Sequence, residues 1–263
     1  QARQLAQAGA HIWLFARRPD SLQKAVAALE GERCSPGQII GWTSVDVSEP
    51  AAVEQAVAQV RAGMGSVDVL INSAGVAHPG YVQDLTPEIF REMVEINYLG
   101  TVHPVKAVLP EMIERKAGMI INISSLAGLL GMFGYSAYGA SKFAVRGFSD
   151  ALRLEPKPLG IQVSLAFPPD TETPQYVYEQ QYKPPETVGM EEAVNLSSKP
   201  ISPEIVADEI LKQAANGRYL IFPGVDGKIL FLITSLAGPL TYPIIDWVLR
   251  LSMARAHNGQ FRS

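Results

Sequence analysis

A tyrosine and a lysine, Tyr138 and Lys142, are spaced so that they could share proton-transfer chemistry. They lie near the start of a predicted helix over residues 138–154, and a separation of four residues places both on one face. A free tyrosine has a pKa of about 10 and exchanges protons poorly at neutral pH. A neighbouring ammonium favours the phenolate and lowers that pKa, as proton exchange with a carbonyl or an alcohol requires. The pair therefore predicts an acid–base site.

Further polar residues lie where predicted strands end. Ser125 precedes Tyr138 by thirteen residues, and Ser124 is next to it. The turn Asn-Ser-Ala-Gly at 72–75 follows another predicted strand. Each feature alone is common, but together with the tyrosine and lysine they form a specific pattern. Ligands of parallel sheets bind beyond the carboxyl ends of the strands, so we expect these residues at one site.

Short apolar segments alternate with amphipathic segments from residue 10 onward. This alternation is typical of a parallel sheet covered by helices on both faces, so the sequence predicts one α/β domain. We expect Ser48 to cap one helix, and Thr86 to open another with Pro87 in its first position. The stretch 168–203 is too long for a plain connection and is interpreted as a substrate lid. The predicted strands cover residues 11–16, 38–42, 67–71, 118–124 and 161–167.

The composition excludes two classes of protein. Of the 263 residues, 47% are hydrophobic and the formal net charge is −4, so the chain is not of the disordered class. The same charge provides no basic field for a phosphate backbone, and we expect no nucleic acid partner. The single cysteine, Cys34, cannot form an internal disulfide, which favours a reducing compartment such as the cytoplasm.

The C-terminal region is unusually apolar. Residues 229–245 carry no charge, although Pro239 and Pro243 interrupt them. We interpret the segment 227–263 as helical, with a buried or interfacial helix pair, and membrane attachment is the alternative. The remainder, residues 1–226, is expected to form the catalytic domain.

The combination of Asn-Ser-Ala-Gly, Asn97 in EINYLG, the serine of ISSLAG and YGASK resembles the short-chain dehydrogenase/reductase family. The resemblance implies a Rossmann-type, doubly wound parallel sheet. It also implies that the serine polarises a substrate carbonyl, Tyr138 transfers the proton, and Lys142 lowers the tyrosine pKa and holds the nicotinamide ribose. Asn97 would interrupt its helix to position a water for proton relay. The family's serine-to-tyrosine spacing selects Ser125 over Ser124.

The resemblance also implies a nicotinamide cofactor. Where relatives that prefer NAD carry an aspartate after the second strand, this chain reads Arg17-Arg18, which predicts NADPH/NADP with the 2′-phosphate held mainly by Arg17. The other residues expected to bind the cofactor are Asp46, Asn72, Ala74, Gly75, Tyr138, Lys142, Pro168 and Thr173, and no metal is expected.

The family's glycine-rich phosphate turn and its first strand do not appear before the opening helix. We expect a few tens of upstream residues, including that glycine loop, in the complete polypeptide.

The chain also contains more specific sequence segments, above all AFPPDTETP. These are similar to segments of family members that reduce the C3 ketone of a long-chain sphingoid base with NADPH. We therefore expect a lipid ketone substrate and a place at the cytosolic face of a membrane, the endoplasmic reticulum in a eukaryote. Phe133, Tyr135 and residues 176–182 are candidates for lining an acyl channel, or for simple packing. The alternatives are a reductase of another hydrophobic ketone (steroid or acyl) and a non-catalytic nucleotide-sensing module. The family resemblance also implies a homo-oligomer.

Overall fold

A computed structural model describes residues 1–194 and 200–260. Its strands are all parallel and lie in two sheets, one of two strands and one of four. The two-stranded sheet has the order β1-β2 and the four-stranded sheet the order β3-β4-β5-β6. The strands are β1 (Ile12–Ala16), β2 (Ile40–Ser44), β3 (Val69–Asn72), β4 (Gly118–Ile123), β5 (Ile161–Ala166) and β6 (Leu220–Ile221).

Helices connect the strands and follow the last one. They are α1 (Ala2–Gln7), α2 (Pro19–Glu30), α3 (Pro50–Met64), α4 (Pro87–Met93), α5 (Gly100–Arg115), α6 (Ser136–Leu154), α7 (Pro174–Glu179), α8 (Pro185–Val194), α9 (Pro203–Ala215), α10 (Asp226–Ala237) and α11 (Thr241–Gln260). A π-helical segment, Val94–Leu99, joins α4 directly to α5.

Helices cover both faces of the larger sheet. Ile120 of β4 packs in a core cluster with residues of α3, α5 and α6, whereas its neighbour Ile121 packs with Val206 and Ile210 of α9. Successive side chains of a strand point to opposite faces, so the two clusters lie on opposite sides of the sheet. The predicted α/β architecture with a parallel sheet is confirmed.

Two local expectations were wrong. Ser48 does not cap a helix, because its hydroxyl donates to the Asp46 carboxylate at 2.7 Å, and α3 begins at Pro50 behind Glu49. The second strand begins at Ile40 rather than at Gln38. The Gln38 amide instead donates to the carbonyls of Ala6 and Ala10 at 2.9 and 2.5 Å, which fixes the loop before β2.

The segment interpreted as a lid is more regular than the sequence indicated. It contains α7 and α8, and a parallel bridge between Thr171 and Ile201 closes its base. At its far side, the Thr187 hydroxyl donates to the Phe133 carbonyl at 3.0 Å. Residues 195–199 of the expected lid lie outside the described residues.

The C-terminal apolar segment forms α10 and α11, separated by a short turn at Gly238–Leu240. The expected helix pair is present, but its apolar residues are not buried: Leu236 is 78% exposed and Leu240 is 67% exposed. The stretch Asp226–Arg250 is long and apolar enough to cross a membrane by length and composition, with a mean hydropathy of 1.5. Core helices of soluble proteins pass the same test, but no residue in the most apolar 18-residue part of this stretch is buried.

Candidate active site

Tyr138 and Lys142 lie one turn apart near the start of α6, beside the carboxyl end of β4. The Lys142 ammonium is buried, donates to the Ile123 carbonyl at 3.1 Å and stands 5.7 Å from the centre of the Tyr138 ring. The strand end therefore fixes the lysine, and the helix places the tyrosine next to it.

The two adjacent serines have different partners. The side chain of Ser125 hydrogen-bonds with that of Tyr138, and its oxygen accepts from the Ala127 amide at 3.2 Å. Ser124 is buried, and its hydroxyl donates to the Lys142 carbonyl at 3.0 Å. Ser125 is thus the serine that reaches the tyrosine, whereas Ser124 ties the strand end to α6.

The ionisation of Tyr138 differs from the sequence-based expectation. Burial raises the pKa of Tyr138 above its usual value, the charges of Glu179 and Asp170 raise it further, and only the hydrogen bond from Ser125 lowers it. The Lys142 ammonium donates to the Ile123 carbonyl, and its predicted lowering of the tyrosine pKa does not outweigh the effect of burial. Tyr138 is consequently held as a protonated phenol, the form that can donate a proton.

Burial has the opposite effect on the lysine, because it penalises the charged form. It lowers the pKa of Lys142 to about 8. Near neutral pH this amine can therefore both hold and release a proton.

Asn97 interrupts its helix, as expected. It lies in the π-helical segment Val94–Leu99 and is fully buried. Its Oδ1 accepts from the Val76 amide at 2.8 Å, and its Nδ2 donates to the Val76 carbonyl at 2.9 Å and to the Ser141 hydroxyl at 2.8 Å. The wider π turn thus lets Asn97 join the loop after β3 to α6.

Gly75 faces the side-chain oxygen of Asn97 and the ammonium of Lys142. A Cβ added there would come within 3.1 Å of the Asn97 Oδ1 and 3.5 Å of the Lys142 Nζ. The small residue keeps this space open beyond β3, and Ala74 beside it is exposed. Asn72, in contrast, is buried and donates its amide to Asn122 at 2.9 Å, so the cofactor contact predicted for it would have to come from its backbone.

The residues expected to bind the adenosine end of a cofactor lie at the ends of β1 and β2. Arg17 and Arg18 are exposed, and the Arg17 guanidinium stands 3.8 Å from the Asp46 carboxylate. Burial opposes the ionisation of Asp46, but two hydrogen bonds from Ser48 and the charge of Arg17 outweigh it and hold its pKa below the usual value. The site thus offers two exposed cations next to a carboxylate.

Pro168 and Thr173 lie after β5, at the base of the lid segment. The Pro168 carbonyl accepts from the Leu126 amide at 3.4 Å, which joins the loops that follow β4 and β5. Thr173 caps α7, because its hydroxyl oxygen accepts from the Tyr176 amide at 3.2 Å. Both residues are half-buried and, like Ser125, follow the carboxyl end of a strand of the parallel pair β4–β5.

Sequence reasoning missed the charged residues of the lid segment. Glu179 accepts a hydrogen bond from the Tyr135 hydroxyl at 2.6 Å, and the Tyr135 ring lies 5.6 Å from that of Tyr138. Lys183 pairs with Glu191 at 2.8 Å, with side chains only 1% and 14% exposed. No short motif marks these residues, because tertiary packing alone brings Glu179 near Tyr138 and pairs Lys183 with Glu191.

The candidate acyl-channel aromatics all have packing partners. The Phe133 ring meets Tyr81 edge-on at 5.9 Å, and the Tyr182 ring lies 4.7 Å from the ring of His78. Lining a channel therefore remains a prediction for these residues. Within the described parts of the chain, no group of three His, Cys, Asp or Glu side chains could hold a metal ion.

Comparisons with known proteins identify the family of the chain. The family described as short chain dehydrogenase matches residues 1–182. A 3-ketodihydrosphingosine reductase of Bos taurus is 41% identical over 234 residues, which are 89% of this chain and 69% of the relative. A protein of the same name from Dictyostelium discoideum is 35% identical over 253 residues, 91% of this chain and 75% of the relative.

Solved structures share the fold. A short-chain dehydrogenase from Streptomyces avermitilis superposes with a TM-score of 0.72 at 27% identity and covers 94% of this chain and 90% of its own. A structure of ElxO with NADP bound also has a TM-score of 0.72, at 23% identity, over 84% of this chain and 90% of its own.

Proposed function

Because the chain belongs to the short-chain dehydrogenase family, we propose that it reduces the C3 ketone of 3-ketodihydrosphingosine to the alcohol of dihydrosphingosine with NADPH. The observation that carries this proposal is the buried Lys142 ammonium 5.7 Å from the centre of the Tyr138 ring at the end of β4, with Ser125 close enough to the phenol to lower its pKa. The similarity to 3-ketodihydrosphingosine reductases over about 90% of the chain then selects the substrate among ketones.

The residues at the strand ends fit a phosphorylated dinucleotide. Arg17 and Arg18 offer exposed guanidinium groups of the kind that bind a phosphate ester, and the space in front of Gly75 is free of a side chain. We assign Arg17, Arg18 and Asp46 to the adenosine end, and Ala74, Gly75, Lys142, Pro168 and Thr173 to the nicotinamide end. When bound, NADPH supplies the hydride that reduces the ketone carbon.

The proton comes from the chain itself. The hydroxyls of Ser125 and Tyr138 are hydrogen-bonded neighbours and would both donate to the ketone oxygen. As the carbon is reduced, negative charge develops on this oxygen, and Tyr138 transfers its phenolic proton there. Burial keeps Tyr138 protonated until that moment, and Ser125 stabilises the phenolate that remains.

Lys142 and Asn97 replace the lost proton. The Lys142 amine, with its pKa of about 8, stands next to the tyrosine ring and can pass on a proton near neutral pH. Asn97 would hold a water that connects this amine to solvent. The water would lie in front of Gly75, where an added Cβ would come within 3.1 Å of the Asn97 Oδ1 and 3.5 Å of the Lys142 Nζ.

A ketone panel tests the substrate assignment. The complete protein is assayed by NADPH oxidation with 3-ketodihydrosphingosine, a steroid ketone and a 3-ketoacyl ester, each in the same detergent. We expect kcat/KM to be highest for 3-ketodihydrosphingosine. A higher value for either of the others would assign the site to a different hydrophobic ketone. Binding of NADPH without oxidation of it by any ketone would indicate a nucleotide-sensing module.

We further propose that α10 and α11 contact a lipid surface from the cytoplasmic side. Leu236, Leu240 and Trp247 are 78%, 67% and 61% exposed, and water is an unfavourable environment for such a patch. A long-chain substrate resides in membranes, so this patch would bring the site to its substrate. We also propose homo-oligomerisation through α6, on which Phe143 is 42% exposed.

A further inference from the structure

Glu179 is a partly buried carboxylate at the end of α7. Its Oε2 accepts from the Tyr135 hydroxyl at 2.6 Å and its Oε1 from the Gln175 amide at 3.0 Å. Both donors are neutral. Among residues 1–194 and 200–260, no lysine or arginine forms an ion pair with Glu179, and Lys183 is engaged instead by Glu191. The carboxylate is therefore oriented by its neighbours while its charge has no paired cation.

This charge lies close to the reacting group. Tyr135, which holds Glu179, has its ring 5.6 Å from the ring of Tyr138. The electrostatic effect reaches the phenol itself: after burial, Glu179 is the next group that raises the pKa of Tyr138. A cation bound at Glu179 would offset this effect and make Tyr138 a stronger acid.

The proposed substrate carries such a cation. In 3-ketodihydrosphingosine the amino group is on C2, two bonds from the ketone carbon, and it is protonated near neutral pH. When Tyr138 holds the ketone oxygen, the ammonium must leave water next to it, which is costly unless an anion receives it.

We propose that Glu179 binds the C2 ammonium of the substrate, and so makes the enzyme selective for amino ketones over ketones that lack the amine. This inference rests on the proposed function. Tyr135 and Gln175 act as positioning residues that hold the carboxylate in place.

The test compares two substrates in the complete protein: 3-ketodihydrosphingosine and the same long-chain hydroxyketone without its amino group. Steady-state constants are measured for the wild type, for Glu179→Gln, and for Glu172→Gln as a control on an exposed carboxylate of the same segment. A charge-assisted contact of this kind corresponds to roughly 10- to 100-fold in kcat/KM. We expect Glu179→Gln to lose that factor for the amino ketone, mainly through KM, and to change less than about twofold for the amine-free ketone. Glu172→Gln should leave both unchanged.

Other results would overturn the inference. An equal loss for both substrates would mean that Glu179 only supports the fold, and no loss for either would mean that the ammonium binds elsewhere. If Glu179→Gln does not fold, Tyr135→Phe carries the test, because it removes the hydroxyl that holds Glu179 and keeps the ring. It should lower the preference for the amino ketone in the same direction. A wild type that reduces other ketones but not 3-ketodihydrosphingosine would overturn the proposed function together with this inference, whereas an active enzyme with unchanged preference overturns the inference alone.

Discussion

The ammonium of Lys142 lies 5.7 Å from the centre of the Tyr138 ring and donates its hydrogen bond to the Ile123 carbonyl instead of to the phenol. Burial dominates the ionisation of both groups, raising the pKa of Tyr138 and lowering that of Lys142 to about 8. The pair is thus set as a protonated acid beside an amine that can exchange protons, which suits reduction of a ketone near neutral pH.

Replacing Tyr138 by Phe should abolish ketone reduction. The change removes the proton donor and keeps the ring, so kcat is expected to fall by about 10²- to 10⁴-fold while NADPH binding changes little. Stopped-flow oxidation of NADPH gives the rate, and fluorescence titration gives the cofactor affinity. Substantial turnover in Tyr138→Phe would mean that the proton comes from another group.

The two neighbouring serines should respond differently to alanine. Ser125→Ala removes a hydrogen bond to Tyr138 and should lower kcat with little change in stability. Ser124→Ala removes the buried hydroxyl that ties the end of β4 to the Lys142 carbonyl, and should cost about 1–2 kcal/mol of unfolding free energy while kcat is largely retained. Parallel kinetics and urea unfolding of both variants check this, and the reversed pattern would assign the catalytic role to Ser124.

Arg17→Ala should reduce the preference for NADPH over NADH. The guanidinium at the end of β1 is expected to contribute roughly 10- to 100-fold to binding of the 2′-phosphate, and NADH lacks that group. Dissociation constants for both cofactors provide the measurement. Arg3→Ala is a matched control, since Arg3 is similarly exposed and pairs with Glu32 at 3.5 Å. Equal losses for the two cofactors in Arg17→Ala would argue against a phosphate contact.

The buried ion pair between Lys183 and Glu191 should make the stability of the protein depend on pH. Burial raises the pKa of Glu191 from 4.5 to about 7, and nearby Asp170 adds to this, although Lys183 opposes it. A raised pKa means that the folded state binds more protons, so this contribution to stability is complete below pH 4.5 and is lost as pH rises to about 7. The unfolding free energy of wild type relative to Glu191→Gln should therefore fall across that window. A difference that rises with pH would show that Lys183 holds Glu191 ionised.

The exposed apolar residues at the C-terminus should govern contact with lipid. Leu236→Asp combined with Leu240→Asp is expected to weaken binding to neutral phosphatidylcholine vesicles by at least about tenfold, because each buried leucine contributes roughly 2 kcal/mol. Co-sedimentation with vesicles measures this. Leu154→Asp, a change at a leucine that is 63% exposed at the end of α6, is the control and should bind as wild type does. Equal binding by the wild type, the double variant and Leu154→Asp would show that this surface does not contact lipid.

The sequence predicted the parallel α/β fold because strand and helix periodicities are local signals. It also indicated Ser125, Tyr138 and Lys142, since their spacing is tied to a strand end and one helix, whereas Asn97 was implied by the family resemblance. It missed the effect of burial on Tyr138, because desolvation depends on the tertiary packing around the ring. It likewise missed Glu179 and the Lys183–Glu191 pair, which approach the site only through tertiary packing. The prediction that Ser48 caps a helix was wrong, because its hydroxyl donates to the carboxylate of Asp46 two residues earlier.

Reduction of 3-ketodihydrosphingosine is the activity that we propose for this chain. The most direct measurement follows NADPH oxidation by the complete protein with that substrate in detergent, and quantifies dihydrosphingosine by mass spectrometry. We expect equal amounts of NADPH consumed and dihydrosphingosine formed by the wild type, and neither in Tyr138→Phe. NADPH bound but not oxidised, or oxidised without formation of dihydrosphingosine, would contradict it.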